Sequence, residues 1–152
     1  MNTVANRVAV LHGVNFDVLE RRDPEIYGGL SLSELEMKIQ RAARELGLEA
    51  IFFQTNSEGE FAEYLHRAPE LADAIVINAG AWTHYSRAIA DALQLTGLPA
   101  VEVHLSAVEE RDDWRKLSVF DGLVLRKISG RGPDGYLEAL EGLAVELGIS
   151  KS

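Results

Sequence analysis

Five short apolar runs alternate with amphipathic segments along the 152-residue chain, and this alternation restricts the possible fold more than any other feature. Each run is rich in β-branched or aliphatic residues, as expected of strands that are buried on both faces of a parallel sheet. The predicted strands cover residues 8–11, 50–53, 74–77, 100–103 and 123–128. Such an alternation predicts parallel strands joined by helical crossovers.

The segments between the runs carry apolar residues at steps of three and four, the spacing of a helix with one buried face. In the first segment Ser31 and Glu34 have the spacing of a capping box, and Gly47 is typical of a helix end. Right-handed crossovers between five strands favour an α/β fold, a flavodoxin-like doubly wound five-stranded parallel sheet of order 2-1-3-4-5 in three αβα layers. We expect one catalytic domain over residues 1–152, with a core of about 7–148.

Composition and charge exclude several classes of partner. A hydrophobic content of 47% and a charged content of 26% are typical of a soluble globular protein. No apolar run reaches about 18 residues and no signal-peptide pattern is present, so we expect a cytoplasmic protein without a membrane partner. The net charge of -9 argues against binding to nucleic acid. The chain has no cysteine and no histidine pair with metal-ligand spacing, so no metal is expected.

Polar side chains follow every predicted strand at the point where the strand ends. They are His12 and Asn15 after the first strand, Gln54 and Asn56 after the second, Asn78 and His84 after the third, His104, Ser106, Arg111 and Arg115 after the fourth, and Ser129 and Arg131 after the fifth. Ligands of doubly wound sheets bind outside the carboxyl ends of the strands. Amide, imidazole and guanidinium groups at this edge predict a site for a small polyhydroxylated acid.

Familiar catalytic signatures are missing from the sequence. There is no G-x-S-x-G turn, and the Gly28-Gly29 pair follows a loop rather than a strand, which argues against a dinucleotide site. A phospho-receiver domain would carry acidic residues at the ends of the first and third strands, where this chain has Asn15 and Asn78.

The segment between the first strand and the first helix is unusually long, and we predict a structureless loop there that carries Asn15, Arg22 and Tyr27. Loops longer than about 12 residues are often lids or binding loops. A phenol has a reference pKa of about 10, so a tyrosine base near neutrality needs roughly 4 kcal/mol of stabilisation of its phenolate. A single guanidinium within about 4–6 Å is marginal for this. We therefore expect a second cation or further hydrogen bonds beside Tyr27.

Several of these residues also have structural interpretations, which the sequence leaves open. His12 is either a hydrogen-bonded core residue or a catalytic group, and Tyr27 either packs under the loop or acts in chemistry. Asn78 either caps the turn after the third strand or binds a ligand, and Thr83 has the position of a helix N-cap. The candidates for a merely solvated helical face are Arg111, Arg115 and Lys116.

Six motifs of the chain resemble those of the type II 3-dehydroquinate dehydratases. Residues 13–28 are similar to the family's Gly-Pro-Asn-Leu-Asn-Leu-Leu-Gly-x-Arg-x-Pro-x-x-Tyr-Gly, and residues 54–59 to its Gln-Ser-Asn-x-Glu-Gly. The other matching segments are residues 78–84, 102–106, 111–115 and 135–140. Together the motifs extend over nearly the whole chain.

The resemblance implies a hydro-lyase without a cofactor, which removes water from 3-dehydroquinate to give 3-dehydroshikimate by anti elimination through an enolate. It also implies an anionic small-molecule substrate and a homododecamer built as a tetramer of trimers. The same step serves the shikimate pathway, and so chorismate and aromatic amino acid biosynthesis, or quinate catabolism.

The resemblance assigns roles by position. Tyr27 is the implied base for the C2 proton, with Arg22 as the lid residue beside it, and His104 is the acid that protonates the departing C1 hydroxyl. Glu102 orients His104, and two residues apart on a strand they would share one face of the sheet. The remaining implied roles are a water site at Asn15, carboxylate binding at Asn78, Leu105 and Ser106, ring-hydroxyl binding at His84 and Arg115, and a contribution of Asp91 to a neighbouring subunit's site.

The chain departs from the family's motifs at several positions. Asp17 and Glu20 add negative charge to the predicted lid, and Val14 replaces a proline. The other departures are Ala90, Ala107 and the segment 116–121. These changes leave one alternative, a catalytically altered homologue that acts as a small-acid binding or assembly module.

Overall fold

One parallel sheet with helices on both sides organises the computed structural model, which describes residues 4–151. Residues 1–3 and 152 of the predicted domain lie outside the described residues. The strand order is β2-β1-β3-β4-β5, and every pairing is parallel. The strands are β1 Arg7–His12, β2 Glu49–Gln54, β3 Ala74–Asn78, β4 Ala100–His104 and β5 Arg126–Ser129. The predicted fold class and strand order are confirmed.

The described part of the chain contains five α-helices, which connect and follow the strands. They are α1 Pro24–Tyr27, α2 Leu32–Glu45, α3 Glu58–Leu71, α4 Arg87–Thr96 and α5 Asp134–Glu146. The predicted capping box at the start of α2 is present, with Ser31 and Glu34 each bonding to the other's backbone N–H at 3.1 Å. The N-cap of α4 is Ser86 rather than Thr83, because Ser86 accepts the N–H of Ile89 at 3.2 Å. Within residues 4–151 no helix is long and apolar enough to cross a membrane.

Alternate residues of each strand face two separate cores. In β1, Val8 and Val10 belong to the core under α2 and α5, whereas Ala9 and Leu11 belong to the core under α3 and α4. All four side chains are fully buried. This alternation gives the predicted three layers, since each face of the sheet is covered by its own pair of helices.

The fifth strand is shorter than predicted and begins later. Residues 123–125 lie in turns, and the ladder with β4 begins at Arg126, which pairs with Val101. Leu123 and Val124 are apolar because they pack, partly buried, against the core on the α3–α4 side. A short apolar run indicates burial, and buried residues occur in turns as well as in strands. The start of the fifth strand was therefore predicted too early.

The segment of residues 15–27, predicted to be structureless, is almost entirely helical. It contains a 3-10 segment, Phe16–Arg21, followed by α1. Asp23 caps α1 by accepting the N–H of Glu25 at 3.0 Å, and Pro24 stands in the first turn. The Asp-Pro pair is a sequence signal for a helix start that the prediction overlooked.

The beginning of this segment is pressed against the turn after β3. A Cβ atom at Gly13 would lie 2.2 Å from the carbonyl oxygen of Ala79. The N–H of Gly13 also donates to the carbonyl of Asn78 at 2.9 Å. Only glycine permits this approach, which brings the 15–27 segment beside the carboxyl end of β3.

Candidate active site

A cleft at the carboxyl edge of the sheet brings most of the predicted site residues together. It contains about 560 Å³ of empty space, part of it open to solvent. The predicted residues that line it are Asn15, Arg22, Tyr27, Asn78, His84, His104, Leu105, Ser106 and Arg115. Its other lining residues are Val14, Phe16, Gly80, Ala81, Val108 and Arg111. The location agrees with the general rule for doubly wound sheets.

The Tyr27 hydroxyl lies between two guanidinium groups. Arg22 donates a hydrogen bond to it through Nη2, and Arg111 donates another through Nη1 at 2.6 Å. The Arg22 guanidinium also lies 4.2 Å from the centre of the Tyr27 ring. Two positive groups and two N–H donors at one phenol oxygen stabilise negative charge on that oxygen.

Arg111 provides the additional group beside Tyr27 that the sequence argument expected, as a second cation or as further hydrogen bonds, without naming it. It follows the 3-10 segment Val108–Glu110, and it also donates to Ser106 Oγ at 3.4 Å. The sequence placed Arg111 at the polar edge after the fourth strand and left a solvated helical face as the alternative, without pairing it with Tyr27. The pairing became visible when the fold placed residue 111 opposite Tyr27, 84 positions earlier in the chain.

Hydrogen bonds from side-chain amides fix the beginning of the 15–27 segment. Asn15 adopts a left-handed backbone conformation with φ of 72°, which asparagine tolerates better than most residues. Its N–H donates to Asn56 Oδ1 at 2.8 Å, and Gln54 donates to the same oxygen at 3.2 Å. The amide of Asn56 in turn donates to Asp17 at 3.1 Å. The end of β2 therefore fixes the backbone that presents Asn15 to the cleft.

His104 is held by a buried carboxylate, as the two-residue spacing on β4 predicts. Its Nε2 lies 2.6 Å from Glu102 Oε2, and a carboxylate can only accept, so Nε2 carries the hydrogen. Glu102 is fully buried, and its oxygens also accept the Ser118 hydroxyl at 2.9 and 3.0 Å. Sequence reasoning missed Ser118, whose place in the altered segment 116–121 gave no sign of this contact.

His84 presents a hydrogen-bond acceptor to the cleft. Its Nδ1 lies 2.7 Å from the carbonyl oxygen of Leu117, so Nδ1 carries the hydrogen. Burial lowers the pKa of His84, and the neighbouring charges of His104 and Arg115 act in the same direction. A neutral ring with Nδ1–H leaves Nε2 free to accept a hydroxyl hydrogen.

Backbone and guanidinium groups complete the polar lining. The carbonyls of Leu105 and Ser106 accept N–H groups of the β5–α5 turn at 3.2 and 3.0 Å, which fixes the direction of this peptide segment. The guanidinium of Arg115 stacks 4.1 Å above the Trp114 ring.

Asp91 is exposed on α4 and does not line this cleft, so the structure does not bring it together with the other predicted residues.

His12 is a core residue and does not line the cleft. It is completely buried, and its Nε2 lies 2.8 Å from the hydroxyl of Tyr136 on α5. Burial lowers the pKa of His12 to about 3. Of the two interpretations that the sequence left open, the hydrogen-bonded core residue is the one observed.

The buried His12 predicts a loss of stability in mild acid. Its folded pKa of about 3 is below the value of 6.5 for an exposed histidine, so the unfolded chain binds the proton first as the pH falls. The contribution is complete above pH 6.5 and is lost towards pH 3, by about 2 kcal/mol between pH 7 and pH 5. Denaturant unfolding of wild type and His12→Gln at both pH values should show the smaller loss in the variant. An equal loss would contradict the assignment, and the exposed His66→Gln variant is the matched control.

The fold and the cleft together define an α/β enzyme with a site that combines a phenol, a carboxylate-bound imidazole and three guanidinium groups. Comparison with known proteins agrees with this class. The chain matches the family described as Dehydroquinase class II over residues 6–144. The chain belongs to this family, and the predicted enzyme class is confirmed.

Individual relatives resemble the chain over most of its length. A protein of Syntrophotalea carbinolica named 3-dehydroquinate dehydratase is 50% identical over 131 residues, which cover 86% of this chain and 88% of that protein. A protein of Pelotomaculum thermopropionicum with the same name is 46% identical over 142 residues, covering 93% and 99%. The crystal structure of the type II dehydroquinase from Propionibacterium acnes has a TM-score of 0.88 and 38% identity, covering 95% of this chain and 99% of that one.

Proposed function

We propose that this protein dehydrates 3-dehydroquinate to 3-dehydroshikimate by anti elimination through an enolate. One observation carries the proposal: a tyrosine hydroxyl held by two arginines lines the same cleft as a histidine held by a buried carboxylate. The elimination needs one base and one acid in opposite protonation states, and two residues on separate elements supply them.

The base step takes place at Tyr27. Its phenolate removes the C2 proton, and the electron pair of that C–H bond moves into an enolate with negative charge on the C3 oxygen. Arg22 and Arg111 stabilise the phenolate before the transfer. Asn15, whose backbone is fixed by Asn56, holds the water that hydrogen-bonds to the enolate oxygen.

The acid step takes place at His104. Collapse of the enolate forms the C1–C2 double bond and breaks the C1–O bond, and the imidazolium gives its proton to the departing hydroxyl, which leaves as water. The negative charge of Glu102 stabilises the imidazolium and holds the ring in place. Tyr27 and His104 then exchange protons with solvent to restore the starting state.

The remaining lining residues bind the substrate. Asn78 and the backbone N–H groups of Leu105 and Ser106 hold the carboxylate. The bare Nε2 of His84 and the guanidinium of Arg115 bind ring hydroxyls. In a protein with a net charge of -9, the cleft arginines supply the local positive charge that an anionic substrate needs.

The acidic departures from the family motif lie outside the residues that line the cleft. Neither Asp17 nor Glu20 lines the cleft, and Asp17 accepts a hydrogen bond from Asn56. These carboxylates therefore belong to the 15–27 segment outside the proposed substrate pocket. No residue with a proposed chemical role is replaced.

The assembly is part of the proposal. Asp91 is exposed on α4 and lies outside its own cleft, which suits a residue that completes the site of a neighbouring subunit in a homododecamer. The reaction serves either aromatic biosynthesis through the shikimate pathway or the breakdown of quinate.

An absorbance assay tests the function directly. With 3-dehydroquinate as substrate, wild-type protein should produce the ultraviolet absorbance of a conjugated enone carboxylate, and light scattering on the same sample should give the mass of a dodecamer. Folded protein that binds the substrate without any rise in absorbance would contradict the enzyme and favour the binding module.

A further inference from the structure

We propose that Tyr136 is a positioning residue whose hydroxyl, held by His12, fixes the side-chain amide of Asn78 so that its second N–H faces the substrate. This inference rests on the proposed role of Asn78 in holding the carboxylate. Neither Tyr136 nor His12 lines the cleft, and both are fully buried. Their effect on the reaction would therefore pass through Asn78 alone.

Three side chains meet at the Tyr136 hydroxyl. Asn78 Nδ2 lies 3.0 Å from the hydroxyl oxygen and His12 Nε2 lies 2.8 Å from it. His12 and Asn78 are register partners on the neighbouring strands β1 and β3, and α5 covers them with Tyr136. The arrangement therefore joins three separate elements of the fold directly behind the cleft.

One assignment of the hydrogen atoms lets the Tyr136 hydroxyl both accept and donate at this junction. The amide Nδ2 can only donate, so the Tyr136 oxygen accepts from it. In this assignment the hydroxyl hydrogen is donated to His12 Nε2, which carries no hydrogen. Burial keeps the imidazole neutral, with a pKa of about 3, and burial also raises the pKa of the Tyr136 hydroxyl. The chain of donors therefore runs from Asn78 through Tyr136 to His12.

The contact of the Asn78 side-chain oxygen agrees with this orientation of the amide. Asn78 Oδ1 accepts the N–H of Gly80 at 3.3 Å. One N–H of the amide is thus committed to Tyr136 and the oxygen to Gly80, which leaves the second N–H as the group available to an anion. A rotated amide would instead present its oxygen to the carboxylate, and like partial charges would repel.

The arrangement also explains an unusual feature of His12. Its Nδ1 is buried and has no hydrogen-bond partner among residues 4–151. Since Nε2 accepts from Tyr136, Nδ1 carries the hydrogen and is left unsatisfied. Unsatisfied buried donors are rare and costly, and their retention is expected where a neighbouring contact serves function.

Removal of the hydroxyl provides the test. Tyr136→Phe preserves the ring and its packing, so it should raise KM about tenfold while kcat changes by less than about twofold, because the amide becomes free to rotate. Tyr64→Phe is the matched control, since Tyr64 stacks on Phe53 at 4.1 Å outside the cleft. A KM within about twofold of wild type, or a loss confined to kcat, would overturn the proposal.

Two further measurements keep the result decisive. If Tyr136→Phe does not fold, His12→Leu removes the acceptor and should raise KM, whereas His12→Gln retains an acceptor and should remain close to wild type. Equal KM values in the two variants would overturn the proposal.

If wild-type protein does not dehydrate the substrate, the proposed function fails, and the NMR signals of the Asn78 side-chain amide test the positioning role instead. They should shift in Tyr136→Phe and stay in place in Tyr64→Phe, and an absence of shift would count against it.

Discussion

Tyr27→Phe is expected to lower kcat by about 10³-fold or more, the upper range for loss of a general base. The substitution removes only the hydroxyl oxygen on which Arg22 and Arg111 converge. KM should change little, because the substrate's carboxylate and hydroxyls bind elsewhere in the cleft. Initial rates by enone absorbance measure both quantities. Tyr64→Phe, remote from the cleft, is the control for loss of a tyrosine hydroxyl.

Substitutions of Arg22 separate positive charge from hydrogen bonding at the same oxygen. Arg22→Gln keeps an N–H donor and loses the charge, whereas Arg22→Lys keeps the charge. If the charge activates Tyr27, the glutamine variant should lose orders of magnitude in kcat and the lysine variant distinctly less. Near-wild-type kcat in Arg22→Gln would be incompatible with activation by Arg22 and would leave Arg111 as the active cation.

His104→Ala should separate the two halves of the reaction. Dehydration should fall by about 10²- to 10⁴-fold, because no group remains to protonate the departing hydroxyl. Removal of the C2 proton should continue, because Tyr27 and both of its arginine contacts are untouched.

Deuterium exchange measures this separation. In heavy water the His104→Ala variant should incorporate deuterium at C2 of the recovered substrate without forming product, as followed by NMR. Dehydration at the wild-type rate would refute the role of His104. Loss of exchange together with dehydration would indicate that proton removal and water loss are not separable steps. His66→Ala, on an exposed position of α3, is the control.

The sheet was predictable because its signals are local and repeated. Val8, Val10 and their counterparts in the other strands report burial, and the capping box at Ser31 reports a helix start. The order of the strands was predicted as a common order of doubly wound sheets of this size. The start of the fifth strand was predicted too early by the same reasoning, since Leu123 and Val124 are partly buried without being in a strand.

The structure brings most of the predicted site residues to one cleft, but few of the contacts among them were predictable from the sequence. The two-residue spacing of Glu102 and His104 predicts their contact, because both lie on the same face of one strand. The contacts of Tyr27 with Arg111 and of His12 with Tyr136 join residues 84 and 124 positions apart. Such pairs depend on how loops and helices return to the sheet edge, and one sequence carries no local signal for that.

The contact between Arg111 and Tyr27 connects the structure of the cleft with its proposed chemistry. Arg111 belongs to a part of the chain distinct from the 15–27 segment, so its bond to Tyr27 joins two separate parts of the cleft lining. Anything that separates these two parts also removes the Arg111 guanidinium from the Tyr27 oxygen. In the proposed mechanism, separation of these two parts of the cleft and loss of the Arg111 charge beside the base are therefore coupled.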